Sequence, residues 1–412
     1  MKVSLITLGC RVNQSESDII KESLDVSGIT IVNLNDNPDY CIVNTCTVTQ
    51  KSDYNSRQSI RKASRTGAKV IVTGCYSQLH EQEVAGLPGV FKLIDIKDKH
   101  DIIGLITHTE SKVSFAASSR SRPFLKIQDG CNFNCSYCTV PIARGTSRSV
   151  SADLLVERVR AITGKGFSEI VLTGIHLGTY GKDLPAQESL TGLIKKLLSE
   201  TTIHRIRLSS LEINEIDDEL LELMKDRRIC RNLHIPLQSA SDKILKLMRR
   251  GYNSGYFRNR IEKIAGRIGD IGLGTDIIVG FPGESDCDFD DTRRTIENLP
   301  FTYLHVFPYS PRPNTDAAKM TGRPAGNKVR ERTGMLRWLG NEKKRQYMKD
   351  HIGKNLEIII EEGLSHGSAV GTSSNYLKIS VPAHDQCRGS VEIAQPTGIK
   401  NGMLEALLIK DT

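Results

Sequence analysis

The sequence predicts a multidomain α/β protein with an N-terminal open parallel α/β sheet, a central partial (βα)6 barrel and a small C-terminal antiparallel β-barrel. The chain of 412 residues exceeds a single ordinary hydrophobic core. Runs rich in β-branched residues alternate with helix-like stretches, which indicates parallel sheets covered by helices. From residue 351 onwards, short strands are separated by Gly, Asn and Pro, a spacing typical of a small barrel. We expect domains at residues 1–110, 117–350 and 351–412.

In the N-terminal domain, strands are predicted at residues 3–8, 29–34, 41–45 and 70–73, with helices at 15–26 and 51–65. Three of these strands run into a cysteine, in LITLGC at Cys10, IVNTC at Cys46 and VIVTGC at Cys75. Because the carboxyl ends of parallel strands share one edge, we expect these three cysteines on the same rim, where ligands bind. The alternative is that they are simply buried side chains, which is our interpretation of Cys41 at the start of its strand.

The central domain is predicted to contain six strands, at residues 124–128, 169–173, 205–209, 232–237, 271–279 and 302–308. Helices are expected between them, for example at 153–162, with Ser151 as N-cap, and at 217–224. Six βα units are too few for a closed eight-stranded barrel, so a partial barrel follows, with functional residues at the strand carboxyl ends. The Ser- and Ala-rich stretch 111–121 predicts a linker to the first domain.

Composition and charge restrict the class of protein. Hydrophobic residues make up 38% and charged residues 25% of the chain, as in soluble globular proteins. No apolar run approaches the ~18 residues needed to span a bilayer, and the N-terminal apolar stretch is too short for a signal peptide. We therefore expect a cytoplasmic, monomeric protein without membrane association, whose ten cysteines are reduced thiols and not disulfides.

The net charge of +8 is concentrated in one segment. Residues 319–354 contain eleven Lys or Arg and three Asp or Glu, so that 11 − 3 = +8, and residues 328–351 of this segment are predicted to be helical. Such a basic block indicates a polyanionic partner, with nucleic acid favoured. A solvated helix face is the alternative interpretation.

The segment DGCNFNCSYCTVP, residues 129–141, places Cys131, Cys135 and Cys138 directly after the first barrel strand. Structural zinc sites have four protein ligands, but here no fourth cysteine or histidine follows until His176. A four-iron cluster held by three thiolates leaves one iron open, and S-adenosylmethionine can chelate that iron and be cleaved there to a radical. A zinc site is the alternative.

The C-x3-C-x2-C spacing, with Tyr137 before the last cysteine, resembles the radical S-adenosylmethionine superfamily. More narrowly, TLGCRVNQSESD, IVNTCTVT, VTGC, CTVPIARG, HIPLQSAS and TDIIVGFPGE resemble the methylthiotransferases over essentially the whole chain. The resemblance implies a [4Fe-4S] cluster that binds S-adenosylmethionine and an auxiliary [4Fe-4S] cluster, and it identifies the C-terminal barrel as a TRAM-like RNA-binding domain. The first cluster would be held by Cys131, Cys135 and Cys138, and the second by Cys10, Cys46 and Cys75.

Among the branches of this family, TLGCRVNQSES, RGTSRS and GIHLGTYGKDL are most similar to the bacterial one that acts on N6-threonylcarbamoyladenosine. That resemblance implies formation of the 2-methylthio derivative at tRNA position 37, next to the anticodon, from two S-adenosylmethionine molecules, one the methyl donor and one the radical source. Ser15 and Thr139 depart from the branch's usual aromatic and aliphatic residues. The alternatives are isopentenyladenosine-37 of tRNA or an aspartate of a ribosomal protein, and, from another class, a noncatalytic zinc-dependent RNA-binding protein.

Further residues are candidates for binding the cofactor or the RNA. Cofactor contacts are predicted for side chains near the first cluster or at strand ends, namely Tyr137, Thr173, Gly174, Ser209, Glu212, Gln238 and Arg144. RNA contacts are predicted for the basic residues Arg148, Lys343, Lys344 and Arg345, with Trp338 and Tyr347 as stacking surfaces. His234 and His305 are interpreted as packed histidines. The expected partners are a tRNA anticodon stem-loop and an electron donor such as flavodoxin or ferredoxin.

Overall fold

The computed structural model describes residues 1–107, 120–364, 367–382 and 388–409, so that most of the predicted linker at 111–121 lies outside the described residues. Residues 1–107 form a five-stranded parallel sheet flanked by helices. Its strands are β1 (Lys2–Thr7), β2 (Thr30–Ile31), β3 (Tyr40–Thr45), β4 (Lys69–Gly74) and β5 (Val90–Leu93), in the order β2-β1-β3-β4-β5. Its helices are α1 (Arg11–Val26), α2 (Gln50–Ser64), α3 (Cys75–Leu79), α4 (Glu81–Ala85) and α5 (Asp101–Thr107).

The central strands of this sheet are buried on both faces. All six residues of β3 are buried, and apolar clusters cover the two sides of the sheet, which explains why β3 and β4 are continuous apolar runs without alternation. The predicted open parallel sheet is therefore confirmed. The strand predicted at 29–34 shortens to two residues, and β5, α3, α4 and α5 are additions that the sequence pattern did not indicate.

Residues 120–349 form the central domain. Its strands are β6 (Phe124–Lys126), β7 (Gln128–Asp129), β8 (Arg148–Ser149), β9 (Glu169–Thr173), β10 (Arg205–Leu208), β11 (Asn232–His234), β12 (Gly272–Val279) and β13 (Tyr303–Pro308). Parallel sheets β10-β9-β6 and β11-β12-β13 are joined by parallel bridges from Ile206 to Ile229 and from Ser210 to His234. The six parallel strands of these two sheets thus form the predicted partial barrel. Strands β7 and β8 form a separate, small antiparallel pair.

Helices cover the outside of the partial barrel. They are α6 (Val140–Arg144), α7 (Ala152–Gly164), α8 (Leu190–Glu200), α9 (Asp218–Leu223), α10 (Asp242–Met248), α11 (Ser254–Arg267), α12 (Asp286–Asn298), α13 (Asp316–Lys319) and α14 (Gly326–Lys349). A single large apolar cluster joins α7, α8, α9, α11, α12 and α14 to the strands. Ser151 occupies the N-cap position of α7 as expected, although its side chain makes no capping hydrogen bond. None of the helices in the described part of the chain combines the length and apolar character needed to cross a bilayer.

The C-terminal part is a closed five-stranded barrel, which confirms the predicted fold of this region. Its strands are β14 (Leu356–Leu364), β15 (Ser368–Ser373), β16 (Lys378–Pro382), β17 (Val391–Lys400) and β18 (Met403–Ile409), in the order β14-β15-β16-β18-β17. It docks on the partial barrel through buried Arg205 and Arg207 of β10, which donate to the backbone carbonyls of Thr372 and Ser373. The domain limits predicted from the sequence stay predictions.

Candidate active site

The first cysteine trio lies at one edge of the N-terminal sheet. Cys10, Cys46 and Cys75 follow the carboxyl ends of β1, β3 and β4, which are neighbours in the sheet. Thr45 pairs with Gly74 in the register of β3 and β4, so Cys46 and Cys75 leave adjacent strands side by side. The topology thereby brings together three residues that are far apart in the sequence.

The backbone around this trio is shaped by glycine. Gly9 has φ +91°, and a Cβ at this position would lie 2.6 Å from the Sγ atom of Cys46, so the segment that carries Cys10 passes directly over Cys46. Burial, together with the charges of Cys75 and Cys10, raises the pKa of the Cys46 thiol to about 11. Cys46 and Cys75 are buried whereas Cys10 is exposed, so thiolates at the two buried positions need a metal centre or cations to balance their charge.

The second trio lies in the loop between β7 and α6. The backbone N–H of Cys131 donates to the carbonyl of Gly145 at 3.0 Å, and the Ser136 hydroxyl donates to the carbonyl of Leu247 at 2.7 Å. These bonds fix the loop against the carboxyl end of the partial barrel. Burial raises the pKa of Cys138 to about 12, with the charges of Cys135 and Cys131 adding to the effect.

The spacing of the sulfurs distinguishes between one ion and a larger cluster. A single tetrahedral zinc ion with Zn–S bonds of ~2.3 Å holds its sulfurs about 3.8 Å apart. Among the described residues, which include all six cysteines of the two trios, the only three metal-ligating side chains with atoms all within 4.8 Å are His234, Asp276 and His305. In the part of the chain that the structure describes, neither trio has all three sulfur atoms within 4.8 Å of one another, so at least one pair of sulfurs in each trio lies farther apart than on a single zinc ion.

Arg250, which sequence reasoning missed, is a cation beside the second trio. Its Nη1 atom lies 3.4 Å from the Sγ of Cys135 and 3.5 Å from the hydroxyl of Tyr137. Its Nη2 atom forms an ion pair with Glu212, which is therefore a partner of Arg250 in this arrangement. The arginine follows the left-handed Arg249 that ends α10, and no sequence motif marks it.

His176 also contacts the second trio. Its Nδ1 atom lies 3.5 Å from the Sγ of Cys131, and its Nε2 atom lies 2.6 Å from Glu215. Burial disfavours the charged imidazole, but the hydrogen bonds with Cys131 and Glu215 outweigh it and raise the pKa of His176 to about 9. Since Nδ1 faces the sulfur atom itself, His176 is placed as a hydrogen-bond partner of a ligand and not as a fourth ligand.

Arg144 links the two trios. It lies at the end of α6, six residues after Cys138, and its Nε donates to the Sγ of Cys75 at 3.2 Å. Its Nη1 forms ion pairs with Glu16 at 3.0 Å and Asp129 at 2.7 Å, while Nη2 donates to a side-chain oxygen of α1. These contacts correct the expectation that Arg144 binds the carboxylate of the cofactor. The guanidinium is fully buried, and its N–H groups already form hydrogen bonds that connect the N-terminal domain to the cysteine loop.

Four other predicted cofactor residues lie at strand carboxyl ends. Thr173 and Gly174 end β9, where a Cβ at Gly174 would lie 2.9 Å from the Oε1 of Gln128. Ser209 follows β10 and accepts a hydrogen bond from a side chain of the N-terminal domain. Gln238 adopts φ +66°, and its N–H donates to a carbonyl of β12 at 2.8 Å. Their contact with a cofactor stays a prediction, as does that of Tyr137.

The predicted RNA-binding residues differ in availability. Lys343 donates to the carbonyls of Glu297 and Leu299, both at 2.9 Å, and so caps the end of α12; this corrects its assignment as a free phosphate ligand. Tyr347 is likewise engaged with a backbone carbonyl. Trp338 is 66% exposed. The other three predicted residues are half-buried or exposed, namely Arg148, Lys344 and Arg345.

His234 and His305 flank Asp276 on the last three barrel strands. Their ring nitrogens lie 2.8 Å and 3.2 Å from Asp276 Oδ1, respectively. The interpretation of packed histidines is wrong for His305, whose side chain is 54% exposed. The Tyr303 hydroxyl lies 3.3 Å from Nδ1 of His234 and continues this polar wall towards the C-terminal barrel.

Comparison with known proteins first identifies the superfamily whose fold this chain has. A model of the radical SAM superfamily matches residues 125–296, and one described as uncharacterized protein family UPF0004 matches residues 2–94. The fold resembles the radical S-adenosylmethionine methyltransferase TsrM from Kitasatospora setae, with a TM-score of 0.56, 14% identity and 77% of each chain covered. The chain therefore has the radical S-adenosylmethionine fold, and this fold implies a [4Fe-4S] cluster and S-adenosylmethionine.

Curated relatives narrow the assignment. "Threonylcarbamoyladenosine tRNA methylthiotransferase MtaB" of Aquifex aeolicus is 38% identical, with 88% of this chain and 93% of the relative covered. The protein of that name from Rickettsia prowazekii is 34% identical, with 99% and 98% covered. "tRNA-2-methylthio-N(6)-dimethylallyladenosine synthase" of Sulfurovum sp. is 30% identical, with 99% and 100% covered. The chain belongs to the radical S-adenosylmethionine methylthiotransferase family, which confirms the resemblance found in the sequence.

Proposed function

We propose that this enzyme converts N6-threonylcarbamoyladenosine at position 37 of tRNA to its 2-methylthio derivative, using one S-adenosylmethionine as methyl donor and one as radical source. In this proposal Cys131, Cys135 and Cys138 hold the cluster that binds the cofactor, and the first trio holds the auxiliary cluster. The observation that carries it is the contact between Arg144, at the end of the second trio's loop, and Cys75 of the first trio. This contact supports two centres that lie on either side of Arg144. The space between the two trios is called the chamber.

The reaction requires chemistry that protein side chains lack. The hydrogen on C2 of adenine is not acidic, so a general base cannot remove it. When bound, a four-iron centre with one open iron would supply one electron to S-adenosylmethionine. The radical chemistry that follows can remove this hydrogen. The protein's contribution is to hold, orient and shield the reacting groups.

The chain's own residues have distinct parts in this proposal. Arg250 and His176 donate to the sulfurs of Cys135 and Cys131, offsetting thiolate charge and making reduction of the centre easier. Arg144 does the same for Cys75. Cys46 and Cys75 are buried whereas Cys10 is exposed, so water has little access to two of the three sulfur atoms of the first trio.

The basic helix α14 and the C-terminal barrel suit an RNA substrate. Arg345 and the exposed Trp338 offer charge and a stacking surface. A base in an anticodon loop is already partly unpaired, so turning it into the chamber costs little. The proposal includes a monomer that receives electrons from a flavodoxin or ferredoxin.

The test is anaerobic turnover of anticodon stem-loops followed by mass spectrometry of the nucleosides. One stem-loop carries threonylcarbamoyladenosine and the matched control carries isopentenyladenosine at the same position. We expect the methylthio product from the first and at most a small amount from the second. Product from the second alone would assign the chain to the branch named for the Sulfurovum relative. Labelled methyl transfer to a ribosomal protein with neither RNA product would contradict an RNA substrate.

A further inference from the structure

Arg11 is a half-buried cation without a carboxylate partner. It is the first residue of α1 and directly follows Cys10. Its Nη1 donates to the hydroxyl of Ser209 at 3.3 Å and its Nη2 to that of Tyr376 at 3.2 Å. Throughout the described ranges of the chain, no Asp or Glu forms an ion pair with it. The guanidinium thus has two neutral acceptors and no counter-ion.

The other arginines around this chamber are neutralised. Arg144 pairs with Glu16 and Asp129, and Arg205 pairs with a fully buried glutamate. The first turn of α1 has no acidic residue, so a cation stands at the positive end of a 16-residue helix, where an anion is favoured. Arg11 has the two hydroxyls and the ring of Phe124, 5.9 Å from its Cζ atom, as partners, but withdrawing part of a cation from water without a counter-ion is costly, which favours an anion beside Arg11 in the working complex.

The hydroxyls around Arg11 come from separate parts of the fold. Ser209 lies at the carboxyl end of β10, and Tyr376 lies in the turn between β15 and β16. Tyr376 has φ +72°, a backbone conformation unusual for a bulky residue, and its N–H closes the turn by donating to the carbonyl of Ser373 at 3.0 Å. Burial alone would raise the pKa of Tyr376, but Arg11 and neighbouring arginines lower it below its ordinary value. All three parts of the chain therefore meet in one polar cluster.

A row of aromatic rings extends from this polar cluster. The centroid of Tyr376 lies 5.5 Å from that of Tyr303, which lies 5.6 Å from the exposed His305. This row of rings runs from the hydrogen-bond partner of Arg11 at one end to the exposed His305 at the other. A planar base with a charged substituent matches such a surface, because the rings offer stacking and the arginine offers charge.

We propose that Arg11, together with the hydroxyls of Ser209 and Tyr376, binds the carboxylate of the threonylcarbamoyl group on the substrate adenine. The inference rests on the proposed function and names its specificity determinant. Threonylcarbamoyladenosine carries an amino-acid carboxylate, whereas the isopentenyl group is a neutral hydrocarbon. Arginine binds carboxylates through paired N–H groups.

The position of Arg11 fits this role. Arg11 directly follows Cys10 in the chain, so the two Cα atoms are about 3.8 Å apart, and its guanidinium reaches Ser209 at the carboxyl end of β10. The reacting carbon and the carboxylate belong to the same modified base. In the proposal, the residue that anchors the carboxylate and a ligand of the first cysteine trio are therefore neighbours in one segment of the chain.

The test compares three stem-loops that differ only at position 37, with threonylcarbamoyladenosine, its methyl ester or unmodified adenosine. The variant is Arg11→Gln, which keeps polar donors but removes the charge, and Arg11→Lys restores the charge. Arg160→Gln is the matched control, because Arg160 is 57% exposed and lies in a surface pair with Glu200. Iron content and thermal unfolding show whether each variant is folded.

We expect the wild type and Arg160→Gln to bind the acid at least about tenfold more tightly than the ester, since a hydrogen bond to a charged group is being lost. Arg11→Gln is expected to lose about ten- to a hundredfold in affinity for the acid and to bind acid and ester alike. Arg11→Lys should recover part of the preference. An Arg11→Gln protein that retains the wild-type preference for the acid would overturn the inference.

Two other anions are separated by the same experiment. If Arg11 bound the cofactor's carboxylate, Arg11→Gln would reduce RNA-free cleavage of S-adenosylmethionine. If it bound an RNA phosphate, the variant would lose equal affinity for all three stem-loops. Either result overturns the inference. Absence of methylthio product from the wild type on the acid stem-loop would instead contradict the proposed function, whatever the variant does.

Discussion

Glu169 is the buried anion on which docking of the C-terminal barrel depends, and Glu169→Gln tests this. Its carboxylate lies 2.7 Å from Nη2 of Arg205 and 2.8 Å from Nε of Arg207, and all three side chains are essentially inaccessible to solvent. The two arginines in turn donate to carbonyls at the end of β15. Neutralising the glutamate leaves both guanidinium groups buried without their main counter-ion.

Breaking a buried pair in this way costs about 3–5 kcal/mol. Because a chain of several domains need not unfold in one step, we would measure native-state hydrogen exchange at the amides of β10 and β15. Opening there should be about a hundredfold to several thousandfold more frequent in Glu169→Gln. The control Glu219→Gln removes a pair with Lys195 in which both side chains are more than half exposed, and it should change opening by about 0–1 kcal/mol.

The ion pairs of Glu169 with Arg205 and Arg207 make the stability of this interface depend on pH. Burial alone would raise the pKa of Glu169, but Arg207 and Arg205 outweigh it and hold the pKa well below its ordinary value of 4.5. A depressed carboxyl pKa contributes stability that is present above the unfolded value and is lost as the pH falls below it. Protection of β10 and β15 in the wild type should therefore decline with acid below about pH 4.5, and this decline should be weaker in Glu169→Gln. Equal protection in Glu169→Gln and Glu219→Gln would refute the reasoning.

Three further changes test the chamber and the RNA surface. Arg250→Gln removes a cation 3.4 Å from Cys135, so the reduction potential of the centre held by Cys131, Cys135 and Cys138, measured by redox titration with electron paramagnetic resonance, should fall; an unchanged potential would contradict a role of Arg250 in tuning it. Trp338→Ala should weaken stem-loop binding about 5- to 150-fold through lost stacking and leave RNA-free cofactor cleavage unchanged, whereas equal affinity would exclude stacking. Arg345→Gln should reduce the salt dependence of RNA binding by about one unit of slope, while Lys343→Gln, which alters a helix cap, should leave that slope unchanged.

Local patterns were sufficient for much of the fold and for the sheet edge that three of the cysteines share. The strand at 169–173 was predicted with the limits of β9, because a short β-branched run between polar segments has few other solutions. The edge shared by Cys10, Cys46 and Cys75 follows from the geometry of a parallel sheet, which needs no knowledge of distant contacts. The start of α1 was predicted four residues late, since the helix begins at Arg11 immediately after a cysteine N-cap that no propensity favours.

The charged residues of the site could not be assigned from patterns. Arg144 and Glu16 are 128 residues apart in the sequence yet form a buried ion pair. Arg250 and Cys135 are 115 residues apart. A sequence shows that an arginine is present, but not whether its guanidinium is already neutralised, and this difference separates Arg144 from Arg11.

The proposed function requires two separate iron centres. Measurements of iron content and of cofactor cleavage test this requirement. Anaerobically reconstituted wild type should be brown and contain about eight irons per chain. Cys75→Ala should retain about four irons and still cleave S-adenosylmethionine reductively, whereas Cys135→Ala should lose cleavage, and the exposed Cys287→Ala should match the wild type. A colourless protein that contains zinc, or loss of the same single centre in both trio variants, would contradict it.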